Sequence, residues 1–198
     1  MKAFDYVIAG GGAAGCVLAA RLAEEKGISV CLVEAGGKGR DLFVRMPAGN
    51  GFVFGNPRLD WGYNSVAQSS LNGRSLYYPR GKALGGSSIV NGMVYMRGVA
   101  ADYDSWGFDG WSYANVLPYF RRSEAARDRR DAWHGSDGPL KTEPARNFGE
   151  IDRAFIAAAK SAGHNQVDDF NGPYRTGVAR NDSTVSKGVR QSAAIASL

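Results

Sequence analysis

Apolar positions change period more than once near the start of this chain, and the changes predict its first elements. Phe4 to Ala9 is a short, unbroken β-prone run that stops on three consecutive glycines, the pattern of a buried strand followed by a forced turn. From Ala13 the apolar positions Ala13, Val17, Leu18 and Leu22 recur at helical spacing through an alanine-rich stretch ending near Glu25, with Gly27 as its stop. Ser29 to Val33 is a second apolar run and closes a β-α-β unit over residues 1–37. Further on, β-prone segments at Trp61 to Val66 and Arg74 to Tyr78 flank Leu71-Asn72-Gly73, where Asn-Gly predicts a hairpin. Ser112 is placed to cap a helix ending near Glu124, which Pro118 is expected to kink. Gly149 to Ala162 has the spacing of an amphipathic helix that buries Ile151, Phe155, Ile156 and Ala159. The final GVRQSAAIASL reads as the start of another helix, so residues 112–198 are expected to be mainly helical.

Composition narrows the class without naming a function. With 198 residues, 44% hydrophobic and 22% charged, the chain is long enough for a core and too apolar for extended disorder. Its net charge of +5 is mild and interspersed, which argues against a nucleic-acid groove. The densest basic group, Arg121 to Arg130, has Glu124 and Asp128 mixed into it and reads as a solvated helix face. Cys16 and Cys31 both fall in apolar surroundings, with neither disulfide nor metal-ligand spacing. No apolar run is long enough to span a membrane, and the start shows no signal-like stretch. These features predict a cytoplasmic, reducing location, with peripheral association at the inner membrane left open.

Glycine changes the picture, because the 27 glycines cluster where chemistry would be expected. Gly10, Gly12 and Gly15 form G-x-G-x-x-G where the first strand gives way to the first helix. The first glycine permits the tight turn, the second lets backbone approach a pyrophosphate, and the third lets helix and strand pack closely. The helix N-terminus would then face the phosphates. Glu34 ends the second strand, where a carboxylate can accept hydrogen bonds from a ribose 2′-hydroxyl and disfavours a 2′-phosphate, so NAD or FAD is expected and NADP is not. A kinase glycine loop matches locally, but no V-A-I-K, H-R-D or D-F-G follows.

The second cluster, GKALGGSS at 81–88, runs into the apolar segment Ile89 to Met96. Ser87 stands where a phosphate-loop NTPase needs lysine, and Ile89 where a nucleophile elbow needs glycine. A flexible linker would continue polar, whereas Ile89 to Met96 is core-forming. What remains is a rigid backbone that approaches a ligand.

Residues Gly81 to Asp104 resemble, position by position, the first signature of the glucose-methanol-choline (GMC) flavoprotein oxidoreductases. Gly81, Lys82, Leu84, Gly85-Gly86, Ser87-Ser88, Val90, Asn91, Tyr95, Gly98 and Asp104 carry the match. GGGAAGCVLAARL at 10–22, LVEAG at 32–36, DWGY at 60–63, GWSYANVLPYFRRSE at 110–124 and HGSDGPL at 134–140 are similar to further landmarks of that family. The resemblance implies an α/β, Rossmann-like FAD-binding domain of the GMC type. It also implies that residues 1–198 are the N-terminal part of that domain, incomplete, with later sheet strands and the substrate domain missing. Within it, residues 1–37 would bind the ADP end of FAD, and 60–104 would supply a hairpin and a loop covering the flavin.

By the same resemblance, Gly10, Gly12, Ala13, Ala14, Gly15, Glu34 and Ala35 hold the ADP portion. Gly81, Leu84, Gly85, Gly86, Ser87, Asn91, Gly92, Met93 and Val94 lie over the pyrophosphate and flavin. Some relatives tether the flavin through a histidine in this loop; here Val90 occupies the neighbouring position, so noncovalent FAD is expected. The implied activity is oxidation of a small-molecule alcohol by hydride transfer to flavin N5, with oxygen, a quinone or a carrier as electron acceptor. The family's catalytic histidine belongs to a later region, expected beyond Leu198, so no catalytic residue is assigned among residues 1–198. His134 and His164 are read as structural or solvated. A noncatalytic nucleotide-binding or partner-binding remnant is the alternative from another class, and an NAD enzyme a third that leaves the 81–104 signature unexplained. The particular alcohol and the oligomeric state are not legible in these residues.

Overall fold

The computed structural model describes residues 2–146 and 148–198, and the chain divides into two units, residues 1–93 with 187–198 and residues 94–186. In the first unit, strand β1 (Tyr6–Ala9) pairs in parallel with β2 (Val30–Val33), Tyr6 opposite Val30 and Ala9 opposite Val33. Helix α1 (Ala13–Ala23) is the crossover between them; it packs on β2 and on a short helix at Ala193–Ser197. Gly27, at φ +85, reverses the chain before β2, in the left-handed region that glycine enters without a Cβ penalty. Two one-turn helices follow, α2 (Leu42–Arg45) and α3 (Asn50–Val53).

The expected hairpin forms between β3 (Tyr63–Asn64) and β4 (Tyr77–Tyr78), and Asn72 and Gly73 both take positive φ at its tip. Val44, Val53, Leu59, Ala83, Ile89 and Val90 make the unit's apolar core, each larger member contributing about 1.5–3 kcal/mol by burial. Ile89 and Val90 therefore behave as expected, but the apolar run does not stay buried. Asn91 and Gly92 are exposed, Met93 enters the left-handed region, and Val94 and Met96 stay more than half exposed.

The second unit is built around a four-stranded mixed sheet, in the order β5 (Val94–Tyr95), β8 (Asp182–Ser183), β7 (Leu140–Pro144) and β6 (Glu124–Ala126). Its helices are α4 (Ala100–Asp104), α5 (Tyr113–Ser123) and α6 (Glu150–Ser161). Ser112 caps α5 by accepting from the Asn115 amide at 3.4 Å, and Pro118 lies inside that helix. The expectation of mainly helical structure beyond residue 112 is thus corrected by three strands of this sheet. Helix α6 has the expected bounds, yet Ile151 and Phe155 are 85% and 67% exposed, so its apolar face is not buried as the periodicity suggested. The basic cluster is also not one helix face: Glu124 is fully buried, and Arg129 grips Asp182 from a loop at 2.7 and 3.1 Å. Cys31 is half-buried, whereas Cys16 is fully enclosed, and both are free thiols. No helix among the described residues is long and apolar enough to cross a membrane.

Candidate functional site

The two glycine clusters of the first unit meet backbone to backbone. Gly10, at φ +98, turns the chain out of β1 while its amide still donates to the Val33 carbonyl at 2.8 Å. Gly12 then caps α1. A Cβ on Gly15 would lie 2.0 Å from the Gly10 carbonyl oxygen, so the third glycine is required by the turn itself. The second cluster lies across this turn: the Gly85 amide donates to the Gly11 carbonyl at 2.7 Å, and the Leu84 amide to the Gly37 carbonyl at 2.9 Å. Gly86, at φ +52, approaches Gly12 so closely that an added Cβ would sit 2.7 Å from the Gly12 Cα.

Between them opens a cleft of about 780 Å³, all of it within the first unit. Gly10, Gly12, Ala13, Glu34 and Ala35 line one part of it, and Gly81, Gly86 and Ser87 another. A Cβ on Gly12 would meet nothing within 4 Å, so this glycine faces free space. Ala14, Gly15, Leu84 and Gly85 do not line the cleft. Leu84 lies against Gly11, and Gly85 binds that same residue's carbonyl, so the pair join the two turns together. Asn91, Gly92 and Met93 follow the wall segment without lining the cleft, and Val94 belongs to the second unit as the first residue of β5. Leu198 closes the short helix at Ala193–Ser197 by donating its amide to the Ala194 carbonyl at 3.0 Å. Its side chain is exposed and takes no part in the cleft.

Glu34 does more than end a strand. One carboxylate oxygen accepts from the Gly11 amide at 2.7 Å and the other from the Gly36 amide at 2.8 Å, which fixes the side chain at the cleft rim with acceptor capacity left on each oxygen. Sequence reasoning about the site left out Trp61, Tyr63 and Arg80, which also line the cleft. Trp61 and Tyr63 stack at 5.9 Å with nearly parallel rings, and the Lys82 ammonium lies 4.8 Å from the centre of the Trp61 ring. The sequence marked Trp61 and Tyr63 through the DWGY landmark and the hairpin strand, without assigning them to the site. Asp60 holds that segment in place by accepting from the amides of Gly55, Gly62 and Arg80 and from the Tyr77 hydroxyl. Burial pushes its carboxyl up, but the Gly62 amide, the Tyr77 hydroxyl and the other two amides outweigh it and bring the pKa down to about 2.

The second unit holds the other concentration of charge. His134 is buried with its Nδ1 3.1 Å from both Glu124 oxygens and its Nε2 2.8 Å from Asp169. Arg97 donates to Glu124 at 2.7 Å, with both side chains sealed from solvent. Asp131, His134 and Asp169 present ligand atoms within 4.8 Å of one another. Both imidazole nitrogens are already engaged, so the cluster reads as a hydrogen-bonded network. His134 is accordingly a structural residue of this unit, and His164 is exposed.

Comparison with known proteins bears on both units. The family described as GMC oxidoreductase matches residues 4–198. The chain is similar to the oxygen-dependent choline dehydrogenase of Vibrio vulnificus strain YJ016, 45% identical over 194 residues, covering 96% of this chain and 35% of that protein. It is 44% identical to the protein of the same name from Rhizobium etli strain CIAT 652, over 98% of this chain and 36% of that one. Among solved structures, pyridoxine 4-oxidase from Mesorbium loti superposes with a TM-score of 0.92 at 36% identity, over 98% of this chain and 39% of that one. An FAD-dependent oxidoreductase from Chaetomium thermophilum gives 0.89 at 29% identity, over 99% and 36%. The chain thus spans about a third of the length of the curated relatives it matches. With the glycine signatures, the interlocked turns and a match over nearly all its residues in agreement, this chain belongs to the GMC oxidoreductase family.

Proposed function

We propose that this chain is the FAD-binding part of an enzyme that oxidises an alcohol to an aldehyde or ketone and passes the electrons to oxygen, a quinone or a carrier. The observation that carries the reading is the meeting of the two glycine clusters, which leaves Gly12 open on a cleft of dinucleotide dimensions rimmed by Glu34. The residues fit the group: a pyrophosphate needs backbone approach at Gly12 and Gly86, and both lack side chains there. Glu34 would take ribose hydroxyls with the acceptor capacity its two amide bonds leave free, and Trp61 and Tyr63 offer flat apolar faces. FAD, when bound, supplies the hydride acceptor, and the chain's own part is to hold and orient it. Val90 is buried in the core, which supports noncovalent retention. A base for the alcohol proton is not offered by His134, whose ring nitrogens are both engaged by carboxylates.

Purification of the chain with FAD, followed by desalting, tests the binding. Flavin absorbance at close to one FAD per chain is the expected result, and a colourless protein would sink the reading. Oxidation is tested on the complete gene product by anaerobic addition of choline, pyridoxine and simple primary alcohols. Failure of every alcohol to bleach the flavin would refute that step alone.

A further inference from the structure

Arg190 is fully buried, yet no ion pair to it forms among the described residues. Its Nε donates to the Val44 carbonyl at 2.9 Å. Nη1 donates to the Asn91 carbonyl and to the Asn91 side-chain oxygen, both at 2.8 Å, and to the Ser88 carbonyl at 3.3 Å. Nη2 donates to the Asn50 side-chain oxygen, and the Asn50 amide reaches on to the Asn91 carbonyl at 3.1 Å. The guanidinium therefore ties α2 and α3 to the segment that follows the turn at Gly86–Ile89, all within the first unit. Ser88 lines the cleft, so this cation stands one residue behind the cleft wall. Ser88 is held from a second direction by its hydroxyl, which donates to the Gly85 carbonyl at 2.6 Å and accepts from the Ala193 amide at 2.8 Å.

Buried guanidiniums ordinarily have a carboxylate, because burying a charge without one is costly. Here the acceptors are neutral oxygens, which satisfy the donors and leave the net charge in place. We propose that Arg190 is the positioning residue for the cleft wall at Ser88 and for the segment through Asn91 that anchors it, and that its unneutralised charge favours an anionic ligand of the dinucleotide-pyrophosphate class in that cleft. The second half rests on the FAD reading above; the first does not.

The test compares wild-type chain with Asn50→Asp, Arg190→Lys and Arg190→Met by FAD titration, amide hydrogen exchange and denaturant unfolding. Asn50→Asp sets a carboxylate against the guanidinium and gives up only the exposed Asn50 amide bond to the Asn91 carbonyl, so the protein should be at least as stable as wild type while FAD affinity falls about tenfold. Arg190→Met should raise exchange at residues 88–93 and leave β1 and α1 unchanged, with Arg190→Lys restoring part of the loss. Wild-type FAD affinity in Asn50→Asp would overturn the charge role. Unchanged exchange at 88–93 in Arg190→Met, or exchange raised equally along the chain, would overturn the positioning role. If wild type itself takes up no FAD, the flavin reading and the charge role built on it both fall, and the exchange data still decide whether Arg190 positions the wall.

Discussion

Removing the titrating group at the centre of the second unit, by His134→Asn, should change how stability depends on pH. Burial pulls the imidazole down, but its hydrogen bonds to Asp169 and Glu124 and the charges of those carboxylates outweigh burial and lift the pKa from 6.5 to about 9. A shift of that size is worth about 3 kcal/mol of folding stability. Because the folded pKa is raised, the contribution is complete below pH 6.5 and is lost as pH climbs through about 9. The surroundings explain the direction: Arg97, Arg129 and protonated His134 face Glu124, Asp169 and Asp182, so losing the imidazole proton leaves the group with excess negative charge. Trp106, Trp111 and Trp133 all lie in this unit, so urea unfolding followed by tryptophan fluorescence reports on it. Wild type should lose about 3 kcal/mol between pH 6.5 and somewhat above 9, while His134→Asn should start lower and stay nearly flat. An equal alkaline loss in both proteins would show that His134 is not the group responsible.

Three further substitutions separate the roles of neighbouring residues. Gly12→Asp adds a side chain where a Cβ meets nothing and φ is an ordinary −70, so circular dichroism should be unchanged while flavin retention falls at least about tenfold; undiminished flavin would refute the pyrophosphate placement. Gly15→Ala drives a methyl against the Gly10 carbonyl and should cost about 1–3 kcal/mol in denaturant unfolding, a result that wild-type stability would contradict. Asp60→Asn turns one of two carboxylate oxygens, each of which accepts from two donors, into an amide NH2, so about 1–3 kcal/mol should be lost near neutral pH. The wild-type contribution of Asp60, a group with lowered pKa, should fade only as pH falls from 3.8 through about 2, and acid titration of both proteins checks this.

The β-α-β unit was legible because its signals are local: a β-prone run, three glycines, an alanine-rich period and an acid at the end of the next strand. Helix α6 shows where such reasoning stops. Its period, read as Gly149 to Ala162, came within one residue of the bounds Glu150–Ser161 and marked the apolar face, but periodicity carries no information about what covers that face, and Phe155 is left largely exposed. The mixed sheet of the second unit was hidden for another reason, since its strands are two to five residues long and join Glu143 to Ser183. Strands that short have no period to read. The site was legible at its glycines, which answer to steric rules, and less so at Glu34, whose grip on Gly11 and Gly36 depends on how two loops come together.

Two buried arginines show how differently the same side chain can be accommodated. Arg97 lies against Glu124 in a group where three cations face three carboxylates, so its burial comes near to balance. Arg190 meets only carbonyl and amide oxygens, and burial alone draws its pKa down from 12.5 to about 10. The folded protein therefore holds a buried guanidinium whose donors are met by neutral oxygens but whose charge is not balanced by a carboxylate. An aspartate at position 50 would supply one, since the Asn50 oxygen already contacts the guanidinium. A fold shaped by stability alone would favour that exchange, whereas a cleft that must receive a diphosphate gains from the charge left unneutralised. On the reading proposed here, asparagine at position 50 is the less stable and better binding choice, and a more stable Asn50→Asp protein with weakened FAD affinity is the combination that would separate function from packing.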